Sequence, residues 1–357
     1  MTPPPTLKQP SELKLARFAH FPGLRVLAWS GDHLFAGRGY RLLHADVANT
    51  NPALTWRPVG TFRTEWRRRL SVMNGLTARL FRDGFHALAV LPDGGLVAAV
   101  PGAIVSLCPG ESEFDETFRI TRGTRPLHIT SVPGGAVYWG EYFDNPLREE
   151  VHIYASSDGG ANWTVAHTFS KGSIRHVHNI VHDPWGNCLW VLTGDYGDEC
   201  RILRATCDFR QVDAVLQGNQ QARAVALVPT EDGLYFSSDT PLEANHIYRL
   251  DRKGALSQLA PISSSSIHGC RVGNRVYFST MVEPSEVNED RNVRIFGGNV
   301  SEGWQSLVSW RKDLWPMGLF QYGNAFLPDG ENSTNILAVT TMAVRPDDMT
   351  TSLYTCV

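Results

Sequence analysis

Basic residues do not exceed acidic ones. Lys and Arg total 33, Asp and Glu total 36, and the net charge is −3. Proteins that grip phosphate backbones usually show a basic excess, so a general nucleic-acid role is disfavoured, and no recognition motif for DNA or RNA occurs. No apolar run approaches the roughly 20 residues of a membrane-spanning helix. The opening stretch MTPPPTLKQPSEL has no apolar signal core. None of the six cysteines, Cys108, Cys188, Cys200, Cys207, Cys270 and Cys356, belongs to a C-x-x-C pair. A zinc ribbon and a thioredoxin-like site are therefore unsupported. The expectation is a cytoplasmic protein with mostly buried, reduced thiols. Helical periodicity is nearly missing as well. One stretch, TEWRRRLSVMNGLTARLF, puts Trp66, Leu70, Met73 and Leu80 on one face.

What the chain does have is glycine and proline, 32 and 21 residues, interleaved with 42% hydrophobic residues. The mixture is too aperiodic for collagen and too apolar for disorder. A length of 357 residues suits two ordinary domains or one large β domain.

Internal repeats decide between them. One unit recurs: a short apolar strand, a turn with Pro or Gly, a second apolar strand, then a polar loop. Clear copies are HALAVLPDGGLVAAVPG from His86, HITSVPGGAVYWGEYF from His128 and HNIVHDPWGNCLWVLTGDYGDE from His178. Others are RAVALVPTEDGLYFSSDTP from Arg223, HGCRVGNRVYFSTMVEPSE from His268 and YGNAFLPDGENSTNILAVTT from Tyr322. A weaker copy, RVLAWSGDHLFAGRG, starts at Arg25. The spacing of roughly 50 residues is that of propeller blades.

After Tyr322 the last copy has room for only three strands. LKLARFAHF, near the start, has no unit of its own and is expected to supply the fourth. The predicted fold is all-β: a single seven-bladed β-propeller of four-stranded antiparallel blades over residues 12–357. Residues 12–21 form its closing strand, 61–84 a basic insertion with a helical pattern, and 1–11 a Pro-rich arm.

SSDGGANW matches S-x-D-x-G-x-x-W at Ser156, Asp158, Gly160 and Trp163, and SEGW, ending at Trp304, is a worn copy. This resembles the BNR/Asp-box propellers, the superfamily that includes sialidases and several polysaccharide-degrading enzymes. The box itself is structural chemistry: Ser and Asp bond their own turn, Gly takes positive φ, Trp packs beneath. The resemblance implies a propeller with the box on a hairpin away from the active face. The sialidase arginine triad is not matched, because no Arg-Ile-Pro element occurs and Arg125-Pro126 does not replace it.

Aligning the repeats gives the functional clue. Counted back from each turn, the equivalent inner-strand positions hold Arg25, His86, His128, His178, Arg223, His268 and Tyr322. Inner strands line a propeller's channel, so these groups should ring one mouth. The second strands end at the same mouth with Glu141, Asp195, Asp239 and Glu283. His176 lies two residues before His178, on the same side of the strand. Gln220 and Gln221 precede Arg223, and Gln221 is a further candidate for binding substrate.

Two chemistries suit such a ring. In one, His86, His128, His178 and His268 hold a divalent Mn, Fe or Zn ion, with the wall acids orienting the imidazoles. This looks like the carotenoid-cleaving oxygenases and the oligogalacturonide lyases, both propellers with histidine-bound metal. In the other, His178 or His128 is a base, Tyr322 an acid, and Arg223 or Arg25 masks a carboxylate during β-elimination from a uronate sugar. Propeller-shaped ulvan lyases look like this. Arg63, Arg67, Arg68, Arg69, Arg79 and Arg82 add a basic lid that favours an anionic ligand. Tyr142, Phe143, Tyr196 and Trp315 are aromatics near the mouth that suit sugar rings.

The leading expectation is a carbohydrate-active lyase or hydrolase for an anionic oligosaccharide. The alternatives are a His-ligated metal-dependent oxygenase or isomerase on a non-sugar substrate, and a non-catalytic binding or scaffold propeller.

Overall fold

Val, Ile, Leu, Tyr and Phe alternate with small and polar residues along most of this chain, and the result is almost entirely antiparallel sheet. A computed structural model describes residues 13–47 and 54–356; the Pro-rich arm, 1–11, lies outside them. Successive strands pair with their chain neighbours in up-and-down sheets. One such sheet runs His176–Asp183, Cys188–Gly194, Arg201–Ala205 and Val212–Gln217. The next runs Ala224–Thr230, Gly233–Ser238, His246–Asp251 and Leu256–Pro261. The two N-terminal sets share one larger sheet through parallel contacts of Thr61 with Glu113 and Phe62 with Phe114.

The first described strand, Leu15–Pro22, joins the end of the chain. It pairs antiparallel with Thr350–Cys356 from Leu15–Cys356 to Pro22–Thr350. That sheet is completed by Ile336–Met342 and Asn324–Phe326. This ties the first described strand to the last.

The first strands of the sheets lie side by side and run the same way. Asn179 donates to the Val225 carbonyl at 2.9 Å, and Ser131 to the Val90 carbonyl at 3.0 Å, so equivalent positions are neighbours. Between sheets the core is dry. Leu27, Leu88, Val105 and Phe114 share one cluster, and Val177, Ile180, Leu189 and Leu203 another. Close approach needs glycine at Gly140, where a Cβ would sit 2.5 Å from Val177.

Two features interrupt the pattern. Residues Asp329–Asn332 pair in parallel with Ala28–Gly31 and also touch the inner strands Ala87–Val90 and Ser266–Val272, so they lie across the channel. Two helices, α1 (Trp66–Ser71) and α2 (Gly75–Phe81), fill the connection before the strand Ala87–Val90, and a single-turn helix, α3 (Met317–Phe320), precedes Asn324–Phe326.

Candidate functional site at the channel mouth

The inner strands carry a bulge near their starts, between Val26 and Ala28, Val177 and Asn179, Ala224 and Leu227, and Ser266 and His268. A bulge re-aims the side chain it carries. His178, two residues after His176 in the strand His176–Asp183, lies on the same side of it. Asp195 follows Gly194, the register partner of His176. The three therefore meet. Nε2 of His176 lies 3.0 Å from Nε2 of His178, and Oδ1 of Asp195 lies 3.5 and 3.4 Å from these two atoms. Gly194 makes room: a Cβ there would press to 3.3 Å from the His178 ring. Burial raises the Asp195 carboxyl, but the adjoining His176 and His178 outweigh it and hold the group far below the usual carboxylate range. Burial lowers His176.

Carboxylates gather around Arg223 beside this trio. Its Nη2 is 3.5 Å from Asp195 and 3.6 Å from Asp239. Arg175 approaches the other Asp195 oxygen at 3.3 Å and also pairs with Asp144. Burial, then the nearby Asp239 charge, raises Glu283. Glu141 stands apart: both its oxygens engage Arg122, and one also accepts the His152 amide at 2.8 Å. Gln220 is structural too. It donates to the Asp195 carbonyl at 3.1 Å and accepts from Thr240 at 2.6 Å. Gln221, its neighbour, is exposed.

The opposite side of the mouth is cationic. Arg25 donates to Nδ1 of His86 at 2.8 Å, and Nε2 of His86 donates to the Arg82 carbonyl at 2.6 Å. Burial, with Arg125 as the next cause, lowers Arg25 to about 9 and pulls His86 well below its ordinary range. Arg125 is lowered to about 10, first by burial and then by Arg82. Among the described residues neither Arg25 nor Arg125 forms an ion pair, and Nε of Arg25 has no hydrogen-bond partner. Tyr142 lies between the two sides. Its ring is 4.3 Å from that of His176, and burial, with Asp195 next, pushes its hydroxyl to about 12. It also contributes to the electrostatics of Arg125.

The four histidines expected to share a metal are not brought together. His86 has its accepting nitrogen filled by Arg25. Deeper in the channel, Nδ1 of His128 meets Asp329 at 2.9 Å, and the His128 ring packs edge-on to His268 at 6.0 Å. His268 lies against Phe326, which Arg25 caps at 4.0 Å. His268 is pulled well below its ordinary range by burial, and its Nε2 has no partner among the described residues. Together with Asp329 these groups lie in the neck. His128 faces the far side, lining a cavity of about 550 Å³ formed by the turn ends of the inner strands, with Trp29, His182, Trp185 and Arg271.

The basic lid is only partly free. Arg63 pairs with Glu113, Arg68 with Asp83, and Arg79 is 2% exposed between Asp313, Asp348 and the Phe320 carbonyl. Arg79 thus fastens α2 to α3. Trp66, Leu70, Met73 and Phe81 point outward. Tyr322, the expected acid, is 37% exposed next to Gly323, which bridges to Val282. The better-placed phenol is Tyr142. Phe143 stacks under Arg122 rather than into the mouth, while Tyr196 and Trp315 are exposed.

Arg125 and Arg175 escaped the sequence reading. A signal was present: each stands three residues before a histidine of the aligned ring, His128 and His178.

The Asp-box lies on the hairpin Val151–Ser156 to Thr164–Phe169, at the opposite end of its strands from the mouth. Ser156 donates to Asp158 at 2.7 Å and receives the Gly160 amide at 2.9 Å, while Asp158 receives the Asn162 amide at 2.9 Å. The SEGW copy occupies the corresponding hairpin, Asn292–Asn299 to Gly303–Lys312.

No protein-family model matches the chain, and no curated protein matches it. Solved structures do. A chain in the crystal structure of a mitotic checkpoint complex aligns with a TM-score of 0.54 at 12% identity, covering 99% of this chain and 97% of that one. The WD40 β-propeller domain of Doa1 aligns with a TM-score of 0.57 at 11% identity, covering 97% of each. The fold is an all-β propeller.

Proposed function

We propose that the chain is a seven-bladed propeller enzyme that receives an anionic, uronate-containing oligosaccharide at the channel mouth and cleaves it by β-elimination. Grouping the strands in chain order supports seven four-stranded sets, the last completed by Leu15–Pro22. The Asp-box hairpin adds the resemblance to sialidase-like propellers.

One observation carries the functional reading: two partly buried arginines with no ion pair among the described residues, Arg25 and Arg125, share a mouth with the His176–His178–Asp195 cluster and the Tyr142 hydroxyl. A partly desolvated guanidinium without an anion is costly, and a ligand carboxylate relieves that cost. The same neutralisation acidifies the proton beside the carboxylate. The imidazole cluster accepts that proton, the bond to the leaving sugar oxygen breaks, and Tyr142 protonates that oxygen. The products are a saturated fragment and one with a new carbon–carbon double bond, so no water is consumed. Arg223, balanced by Asp195 and Asp239, holds the cluster in place.

The test is incubation of the folded protein with a panel of uronide oligomers while the ultraviolet absorbance of unsaturated product is followed. Absorbance growth supports elimination. Cleavage without it converts the reading to hydrolysis, and no cleavage of any member sinks it.

A further inference from the structure

Two imidazoles and a carboxylate converge at the mouth, and their hydrogen bonds fix which nitrogens carry protons. Nδ1 of His176 lies 3.1 Å from the Phe143 carbonyl, and Nδ1 of His178 lies 2.9 Å from the Ala224 carbonyl. A carbonyl only accepts, so both Nδ1 atoms are donors. In the neutral rings both Nε2 atoms are then lone pairs. These lone pairs face each other at 3.0 Å, with Oδ1 of Asp195, also an acceptor, 3.5 and 3.4 Å away. Three acceptors pointing at one spot repel unless a cation lies among them.

The spacing is that of ligands around a metal. Two donors about 2.1 Å from a zinc-like ion are about 3.4 Å apart at the tetrahedral angle and about 3.0 Å apart at a right angle. The three observed separations fall on these values. Both rings are held from behind by carbonyls, the arrangement that orients ligating histidines. The local charge agrees: among the described residues, Asp195, Asp239, Glu283 and Asp144 face the two arginines Arg175 and Arg223. The side chains are 7%, 3% and 12% exposed, so the spot is largely shielded from water.

We infer that His176, His178 and Asp195 form a binding site for one divalent transition-metal ion, with zinc, iron and manganese the suitable class. This deepens the reading of the same mouth, since a bound cation moves proton acceptance from an imidazole to a metal-held water, yet its geometry stands without any sugar. It replaces the ligand set expected from the repeats, sharing only His178. Two histidines and one carboxylate also leave open coordination positions, as the oxygenase alternative requires.

Metal content separates this site from a trapped proton. The full chain, stripped with a chelator, is titrated with Zn²⁺ by calorimetry and with Co²⁺ by visible absorption. Circular dichroism confirms that each sample is folded. One equivalent per chain is expected, with the intense visible bands of low-coordinate cobalt. His176→Gln and Asp195→Asn should each weaken binding at least tenfold, while His86→Gln, outside the trio, leaves it unchanged. Absence of saturable binding to folded protein overturns the site, as does binding that persists equally in both trio variants. Metal uptake without uronide cleavage leaves this site standing and removes the elimination reading. Cleavage by metal-free protein that also shows no saturable metal binding keeps the elimination reading and overturns this site.

Discussion

Arg25 donates to Nδ1 of His86 at 2.8 Å, and this one bond decides what His86 can do. Its other nitrogen donates to the Arg82 carbonyl, so the ring is neutral and has no lone pair left for a metal or a substrate proton. His268, half-buried, is likewise lowered by desolvation. Both rings titrate near their ordinary 6.5 when unfolded and well below it when folded. The unfolded chain therefore binds more protons at low pH. Stability is full above about 6.5 and is lost as pH falls below it, by up to about 1.4 kcal/mol per pH unit for each ring. Denaturant melts between pH 8 and pH 5 should show this loss, and His86→Gln should make it shallower.

Arg125 is half-buried and forms no ion pair among the described residues, which marks it as a group kept for a ligand. Arg125→Gln should abolish uronide cleavage while leaving the melting temperature unchanged or about 2 °C higher. A variant that lost several degrees along with its activity would show that Arg125 is a structural residue. Calorimetric melting and the absorbance assay together give the answer.

Tyr142 carries the proposed acid. Tyr142→Phe keeps the ring against His176 and removes only the hydroxyl, so kcat should fall about 10²–10⁴-fold with little change in KM. Tyr322→Phe, at the exposed position, should change neither by more than about twofold. Initial rates across substrate concentration measure both.

Arg79 holds α2 to α3 through Asp313, Asp348 and the Phe320 carbonyl. Arg79→Ala leaves Asp313, 6% exposed, with Lys312 as its remaining cation beside the Trp315 amide, and should cost about 3–5 kcal/mol in urea unfolding.

The Asp-box should matter for folding alone. At Gly160, φ is +86° and a Cβ would meet Val97 at 2.6 Å. Gly160→Ala should therefore destabilise by about 1–3 kcal/mol. The remaining folded fraction should keep its full specific activity, because the hairpin lies at the far end from the mouth.

The repeat made the propeller legible, because a strand–turn–strand unit announces its apolar alternation and its Gly or Pro turns locally. It also announced the polar mouth: His178, Arg223, Asp195, Asp239 and Glu283 do gather. His178 meets His176 as the two-residue period of a strand predicts. What the repeat could not convey is which way the start of each inner strand points: His128 looks down the channel to Asp329. Equal repeat positions therefore did not become a four-histidine ring. Glu141 was equally hidden, since its partner Arg122 comes from the connection before its sheet. The segment Asp329–Asn332 reads as a turn in the sequence, and only tertiary packing lays it across the neck.

The central claim is that the mouth receives an anion on Arg25 and Arg125. Calorimetric titration of the folded chain with a uronate oligomer, beside the neutral oligosaccharide of the same linkage, tests it directly. The expected result is saturable one-site binding at least tenfold tighter for the uronate, with that preference lost in Arg125→Gln. Equal affinity for both sugars, or a preference that survives in Arg125→Gln, would contradict it.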